Sequence, residues 1–224
     1  MGLPRIAPYE VPSPESYPQN RVDWTIDPSR AVLLVHDMQQ YFVDAFARDE
    51  HGLSPVDAAI ANINRLRARA VETGIPTIFT TQPPDQLPGD RGLLSDFWGP
   101  GLQGASSARV VAELEPNGSD RVLTKWRYNA FIRTPLSEIM REQGRDQLIV
   151  VGVYAHIGCL LTACDAFMRD IQPFLIGDAV ADFSREEHQS ALSYAAQRCA
   201  VVQTTDAALA SIEAAHELLG AGER

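Results

Sequence analysis

Six apolar runs punctuate the chain, and stretches with helical spacing separate most of them. AVLLVH (31–36) is continuous and built from β-branched residues and Leu, the pattern of a strand buried on both faces. PTIFT (76–80), RVLT (121–124), LIVVGV (148–153), PFLIG (173–177) and AVVQT (200–204) read as further strands. SPVDAAIANINRLRARAVETG (54–74) carries apolar residues at helical spacing, with Ser54 as a cap and Gly74 as a stop. Helical patterns recur at 134–143, 159–170, 184–197 and 206–218. This alternation predicts an α/β fold: a three-layer sandwich with a central, mostly parallel sheet of about six strands, covered on both faces. Residues 1–30 are Pro-rich and predicted to be an irregular arm wrapping the surface. Residues 31–224 are predicted to form a single domain, a length that one core can serve.

Right-handed crossovers put the C-terminal ends of parallel strands on one edge, where open sheets bind ligands. His36-Asp37, Thr81-Gln82, Lys125 and Val153-Tyr154 all follow strand ends. A carboxylate such as Asp37 can serve a turn or a reaction; its place at a strand's carboxyl end favours the second. VVGVYAHIGCLLTACDAFMRDIQPF (150–174) reads as buried strand, tight turn over 153–158, then helix. Two chemistries compete there. Cys159, at a helix start, could be a nucleophile. Alternatively an acid elsewhere does the work and Gly158 leaves empty space beside it.

The formal charge of −10 argues against a general nucleic-acid partner. No run of eighteen apolar residues exists, so no membrane span is expected. The N-terminus lacks an apolar signal core, and Ile6 stands where a myristoylation signal needs Ser or Thr. Three cysteines without CxxC spacing fit a reducing compartment, and the expected location is cytoplasmic. The histidines form no i, i+4 pair, and neither GxxxxGK nor GxGxxG occurs, so neither a metal nor a nucleotide cofactor is implied.

Three blocks, VLLVHDMQQYF (32–42), LTKWRYNAF (123–131) and GVYAHIGC (152–159), together resemble the isochorismatase-like hydrolase superfamily. RGLLSDFWGPG (91–101) and DAVADFSREEH (178–188) reinforce the match, which runs from about Ile6 to Asp206. Within the superfamily the chain looks like the branch acting on isochorismate or its 2-amino analogue. The superfamily's thiol hydrolases carry Cys where this chain has Gly158, which leaves Cys159 one residue out of register. Its nicotinamidases bind a metal through an Asp and two His, which HGLSPVD here does not match.

The resemblance implies hydrolysis of an enolpyruvyl vinyl ether with Asp37 as general acid. Carbon protonation is slow and needs a positioned acid. Asp37 must then hold its proton near neutral pH; burial and substrate carboxylates raise its pKa, and Lys125 opposes them. Lys125 is expected to touch both Asp37 and substrate, with Arg127 turned away. Arg91 offers a planar fork for a carboxylate. Gln82, Phe42, Trp98, Tyr128 and Tyr154 are expected to line the ring pocket beside Gly158. Asp182 or Ser184 should cap the following helix, with His188 structural. A cis peptide is expected between Val153 and Tyr154, and a homodimer is the expected assembly. RGLLSDFWGPG and QRCAVVQTTD resemble the phenazine-pathway hydrolase, whereas AHIGC and DAFMRDIQPF equally resemble the siderophore enzymes. With no carrier domain expected after the last helix, 2-amino-2-deoxyisochorismate is the favoured substrate and isochorismate the second. A cysteine amidohydrolase using Cys159 and a non-catalytic assembly-line partner are the alternatives.

Overall fold

The computed structural model describes residues 2–222; Met1 and residues 223–224, counted in the predicted arm and domain, lie outside the described residues. Six strands form one sheet: β1 (Ala31–His36), β2 (Thr77–Thr81), β3 (Arg121–Thr124), β4 (Gln147–Val153), β5 (Gln172–Ala181) and β6 (Val201–Gln203). Their order is β3-β2-β1-β4-β5-β6, and every pairing is parallel. All residues of β1 and β4 are buried, as their unbroken apolar runs require of strands covered on both faces. One core packs against each face.

The chain leaves β1 toward β2 and β3, then returns to the other side of β1 with β4. The order therefore reverses between β1 and β4, and such a switch point opens a crevice at the strands' carboxyl ends. Asp37 and the Val153–Tyr154 bond stand on its two sides. That peptide is cis, as expected.

Nine helices complete the described chain: α1 (Gln40–Val43), α2 (Pro55–Thr73), α3 (Pro88–Arg91), α4 (Leu94–Trp98), α5 (Gly104–Ala108), α6 (Leu136–Glu142), α7 (Leu160–Met168), α8 (Arg185–Arg198) and α9 (Thr205–Gly222). The Asp57 carboxylate accepts the Ser54 N–H at 3.0 Å, and Gly74 closes α2 with φ 70°. Ser184 caps α8, accepting the Glu187 N–H at 3.1 Å. Asp182 does not cap it; its carboxylate accepts instead from the His156 N–H (2.7 Å) and the Phe183 N–H (2.9 Å). The short helices α3 to α5 fold the 82–120 excursion over the crevice and bring Arg91 and Trp98 to it. No helix among the described residues is long and apolar enough to cross a membrane.

β5 runs four residues past its predicted end at Gly177. A register shift against β4 between Val150 and Gly152 lets pairing continue, with Gly152 opposite Val180. Asp178, polar within this strand, accepts from Thr205 N–H and Oγ1, both at 2.7 Å, and so anchors α9. Gly152 has φ 113° and lies against the His36 backbone, where no side chain fits.

Candidate active site

β1 ends by delivering Asp37 in the left-handed region, φ 49°, a conformation that costs a non-Gly residue energy and tends to occur at functional sites. Its side chain is 3% exposed. Every polar neighbour donates to it. Thr80 Oγ1 donates to Oδ1 at 2.8 Å, and Gln82 Nε2 to Oδ2 at 3.1 Å. Lys125 Nζ meets Oδ2 at 2.8 Å. β2 supplies Thr80 and its following turn Gln82; Lys125 follows β3, its N–H held by Thr81 O at 2.8 Å. Burial pushes the Asp37 carboxyl upward, but Lys125, His36 and the hydrogen bonds from Lys125 and Gln82 together hold it below its ordinary value. Near neutral pH the acid of the free protein is therefore a carboxylate.

Lys125 is 1% exposed and its ammonium is saturated. Beyond Asp37 it donates to Arg127 O (2.7 Å) and Tyr128 O (3.2 Å). Any contact with a ligand must therefore displace one of these, so its expected double duty is narrower than a free lysine's. The Arg127 side chain turns away to Asp90 O and Trp126 O, as alternation along KWRY predicts.

Arg91 differs. Its Nε donates to Gly99 O at 2.6 Å, its guanidinium lies on Gly101, and its buried Nη1 has no partner. Arg91 also lines the pocket, and a guanidinium with a spare donor there suits an anionic oxygen once that nitrogen turns toward it.

Asp37, Lys125, Gln82, Arg91, Phe42, Trp98, Tyr128, Tyr154 and Gly158 all line one cavity, mostly apolar and aromatic with a few polar groups, the make-up of a small-molecule site. Tyr154 offers a ring only, because its hydroxyl donates to Phe42 O at 2.8 Å. Trp98 Nε1 donates to the Tyr128 hydroxyl. Lys125 and Arg91 against Asp37 give the cavity local cationic character within an acidic chain.

The space at Gly158 is not empty, contrary to expectation. It is filled by the His36 imidazole, with which a Cβ at 158 would collide. His36 Nδ1 faces Val153 O at 2.9 Å and Nε2 faces Tyr128 O at 3.1 Å, and the neutral ring donates to one of these two carbonyls. Burial lowers the His36 pKa, despite the opposing influence of Asp37. Sequence reasoning also missed Phe183 and Leu3, which line the cavity. Phe183 packs on Tyr154 (ring centroids 4.5 Å apart) and on Trp98 (5.9 Å). Its signal was the apolar DAVADF continuation of β5, hidden by Gly177 and Asp178.

Cys159 is fully buried and does not line the cavity, and burial pushes its thiol well above the ordinary value. Cys159→Ala is therefore expected to keep turnover within about threefold, as a small buried hydrophobe would allow; abolished turnover in a folded Cys159→Ala protein would restore the thiol mechanism. One cluster among the described residues, His156, Asp182 and Glu187, has metal-ligand atoms within 4.8 Å of one another. Asp182 already serves two backbone N–H groups and His156 Nδ1 (2.6 Å), which marks the cluster as a structural tie between the β4 turn and β5.

The isochorismatase domain model matches residues 31–207, most of the chain. The chain belongs to the isochorismatase family. The isochorismatase of Bacillus subtilis is 56% identical over 214 residues, covering 95% of this chain and 68% of that protein. Phenazine biosynthesis protein PhzD1 of Pseudomonas aeruginosa is 48% identical, covering 93% and 99%. Enterobactin synthase component B of Escherichia coli is 48% identical, covering 92% and 72%. A cysteine hydrolase from Pseudomonas syringae shares the fold, with TM-score 0.77 at 23% identity over 88% of this chain and 98% of that one.

Proposed function

We propose that the chain hydrolyses the enolpyruvyl vinyl ether of isochorismate or 2-amino-2-deoxyisochorismate, with Asp37 as general acid. The observation that carries this reading is a lone buried carboxyl at the sheet's switch point, in a cavity that Lys125 and Arg91 also line. Arg91 suits one substrate carboxylate, and the aromatic walls suit the ring. Asp37 passes its proton to the terminal methylene carbon, giving an oxocarbenium ion. Water adds to that ion, the resulting hemiketal collapses to pyruvate and a ring alcohol, and the proton shed by the added water restores Asp37.

Lys125 and its fellow donors hold Asp37 ionised in the free protein, so the substrate must help to protonate it. Two arriving carboxylates and the expulsion of water both disfavour a second negative charge nearby and raise the Asp37 pKa. The acid-dependent fall of kcat with rising pH, which reports the complex, should therefore lie at higher pH than that of kcat/KM, which reports the free enzyme. Pyruvate release across pH tests this. Coincident profiles would remove substrate-assisted protonation, and no pyruvate from either compound would remove the function, leaving the non-catalytic partner reading.

Both compounds present the same carboxylates to Arg91. They differ at one ring substituent, where one unmatched buried polar contact is worth about 1–3 kcal/mol. The 56% relative supports isochorismate, the phenazine relative the amino analogue expected from sequence. Measuring kcat/KM for both in the same assay separates them. Cytoplasmic placement, supported by three free thiols, and a homodimer, supported by exposed Leu93, Phe97 and Met168 around one groove, belong to the same reading.

A further inference from the structure

The Pro-rich arm does more than wrap the surface. Leu3, near its start, stands in the wall of the catalytic cavity, partly buried against the core. Two fixings hold the arm there. First, the Ile6 N–H donates to Ala45 O at 2.8 Å and the Ala47 N–H to Ile6 O at 2.7 Å, a parallel bridge beside Phe46. Phe46 in turn packs on the cavity residue Tyr154, with ring centroids 5.8 Å apart.

Second, the Tyr9 hydroxyl closes a buried network. His188 Nε2 faces Gly177 O at 2.9 Å, so the ring proton sits on Nε2 and Nδ1 accepts from Tyr9, 3.1 Å away. The same hydroxyl oxygen accepts the Asp182 N–H at 2.8 Å. Asp182 precedes Phe183, another wall residue. The arm is thus pinned to segments bearing two of the cavity's aromatic walls, with Leu3 beyond the pins.

We propose that Leu3 is a substrate-positioning residue and that residues 2–9 form the wall closing the cavity over the bound ring. An apolar cover excludes bulk water and strengthens the Arg91 and Lys125 interactions with the substrate carboxylates. Ring contact of this kind exists before and during reaction, so its loss should appear in KM rather than kcat. The inference rests on the reaction proposed above. Absence of pyruvate release by the wild type would sink that reading and this one with it, whereas normal release with unmoved variants sinks this one alone.

The test compares Leu3→Ala and Leu3→Trp with the wild type, using whichever of the two compounds turns over better. Loss of one to two buried methylenes should raise KM about four- to fifteenfold in Leu3→Ala, with kcat within about twofold. The thermal midpoint should stay within about 2 °C, since the side chain lies at the edge of the core. Leu3→Trp should lower kcat/KM by more than about tenfold by crowding the ring. A third variant, Tyr9→Phe, should speed hydrogen exchange at the Ile6 and Ala47 amides and raise KM together. KM within twofold of wild type in both Leu3 variants overturns the proposal, as does faster exchange in Tyr9→Phe with KM unmoved.

Discussion

Asp37→Asn is expected to lose about 10²–10⁴-fold in kcat, the usual worth of a positioned general acid. The shape of the side chain is kept, so substrate binding should change far less. The hydrogen-bond pattern is not kept. Thr80, Gln82 and Lys125 all donate toward the carboxylate, and an amide nitrogen would turn a donor toward donors on one side. Thr80 can turn its hydroxyl to accept from that nitrogen, whereas Lys125 cannot become an acceptor, so the amide must keep its oxygen on the Lys125 side. Asp37→Ala should therefore accompany it as a control with no misplaced donor. Pyruvate release and circular dichroism are the readouts. Near-normal release from a folded Asp37→Ala protein would show that the proton comes from elsewhere.

The second large effect is on stability. Lys125→Met should cost about 3–5 kcal/mol near neutrality, because it leaves the Asp37 carboxylate buried and uncompensated. The sign with pH follows from the two states. In the wild type the folded carboxyl is held below its ordinary value, so it contributes stability above the usual carboxylate range and loses it as pH falls. In Lys125→Met burial dominates and the folded pKa rises, so the variant recovers as acid neutralises Asp37. The gap between the two proteins should be widest near neutrality and narrow in mild acid. Urea unfolding midpoints at the two conditions decide it; an equal gap at both would mean that the ion pair is not the source.

Much of this site could be read along the chain because its parts sit at strand ends. Asp37, Gln82 and Lys125 each follow an apolar run, and parallel strands gather such positions on one edge. Helix α2 is equally plain, with Ser54 and Gly74 marking its ends. What stayed hidden was set by packing between distant segments. Leu3 lies in a Pro-rich stretch with no periodicity, and its place depends on Ile6 finding Ala45 and Ala47. Phe183 lay beyond Gly177 and Asp178, which look like a strand end until Asp178 is seen capping α9. Gly158 was noticed for its missing side chain, but nothing local says that His36 occupies the space.

That last contact has a consequence for how catalysis can change over evolutionary time. By the sequence resemblance, a thiol hydrolase of this superfamily is expected to carry Cys at the position of Gly158. Gly158→Cys alone finds no room, because its Cβ meets an imidazole pinned between two carbonyl groups. Removing the imidazole first leaves Val153 O without that partner and opens a void beside Asp37 before any thiol is there to use it. A side chain at 158 and the His36 imidazole thus compete for one space, and the group that holds it is not itself the acid.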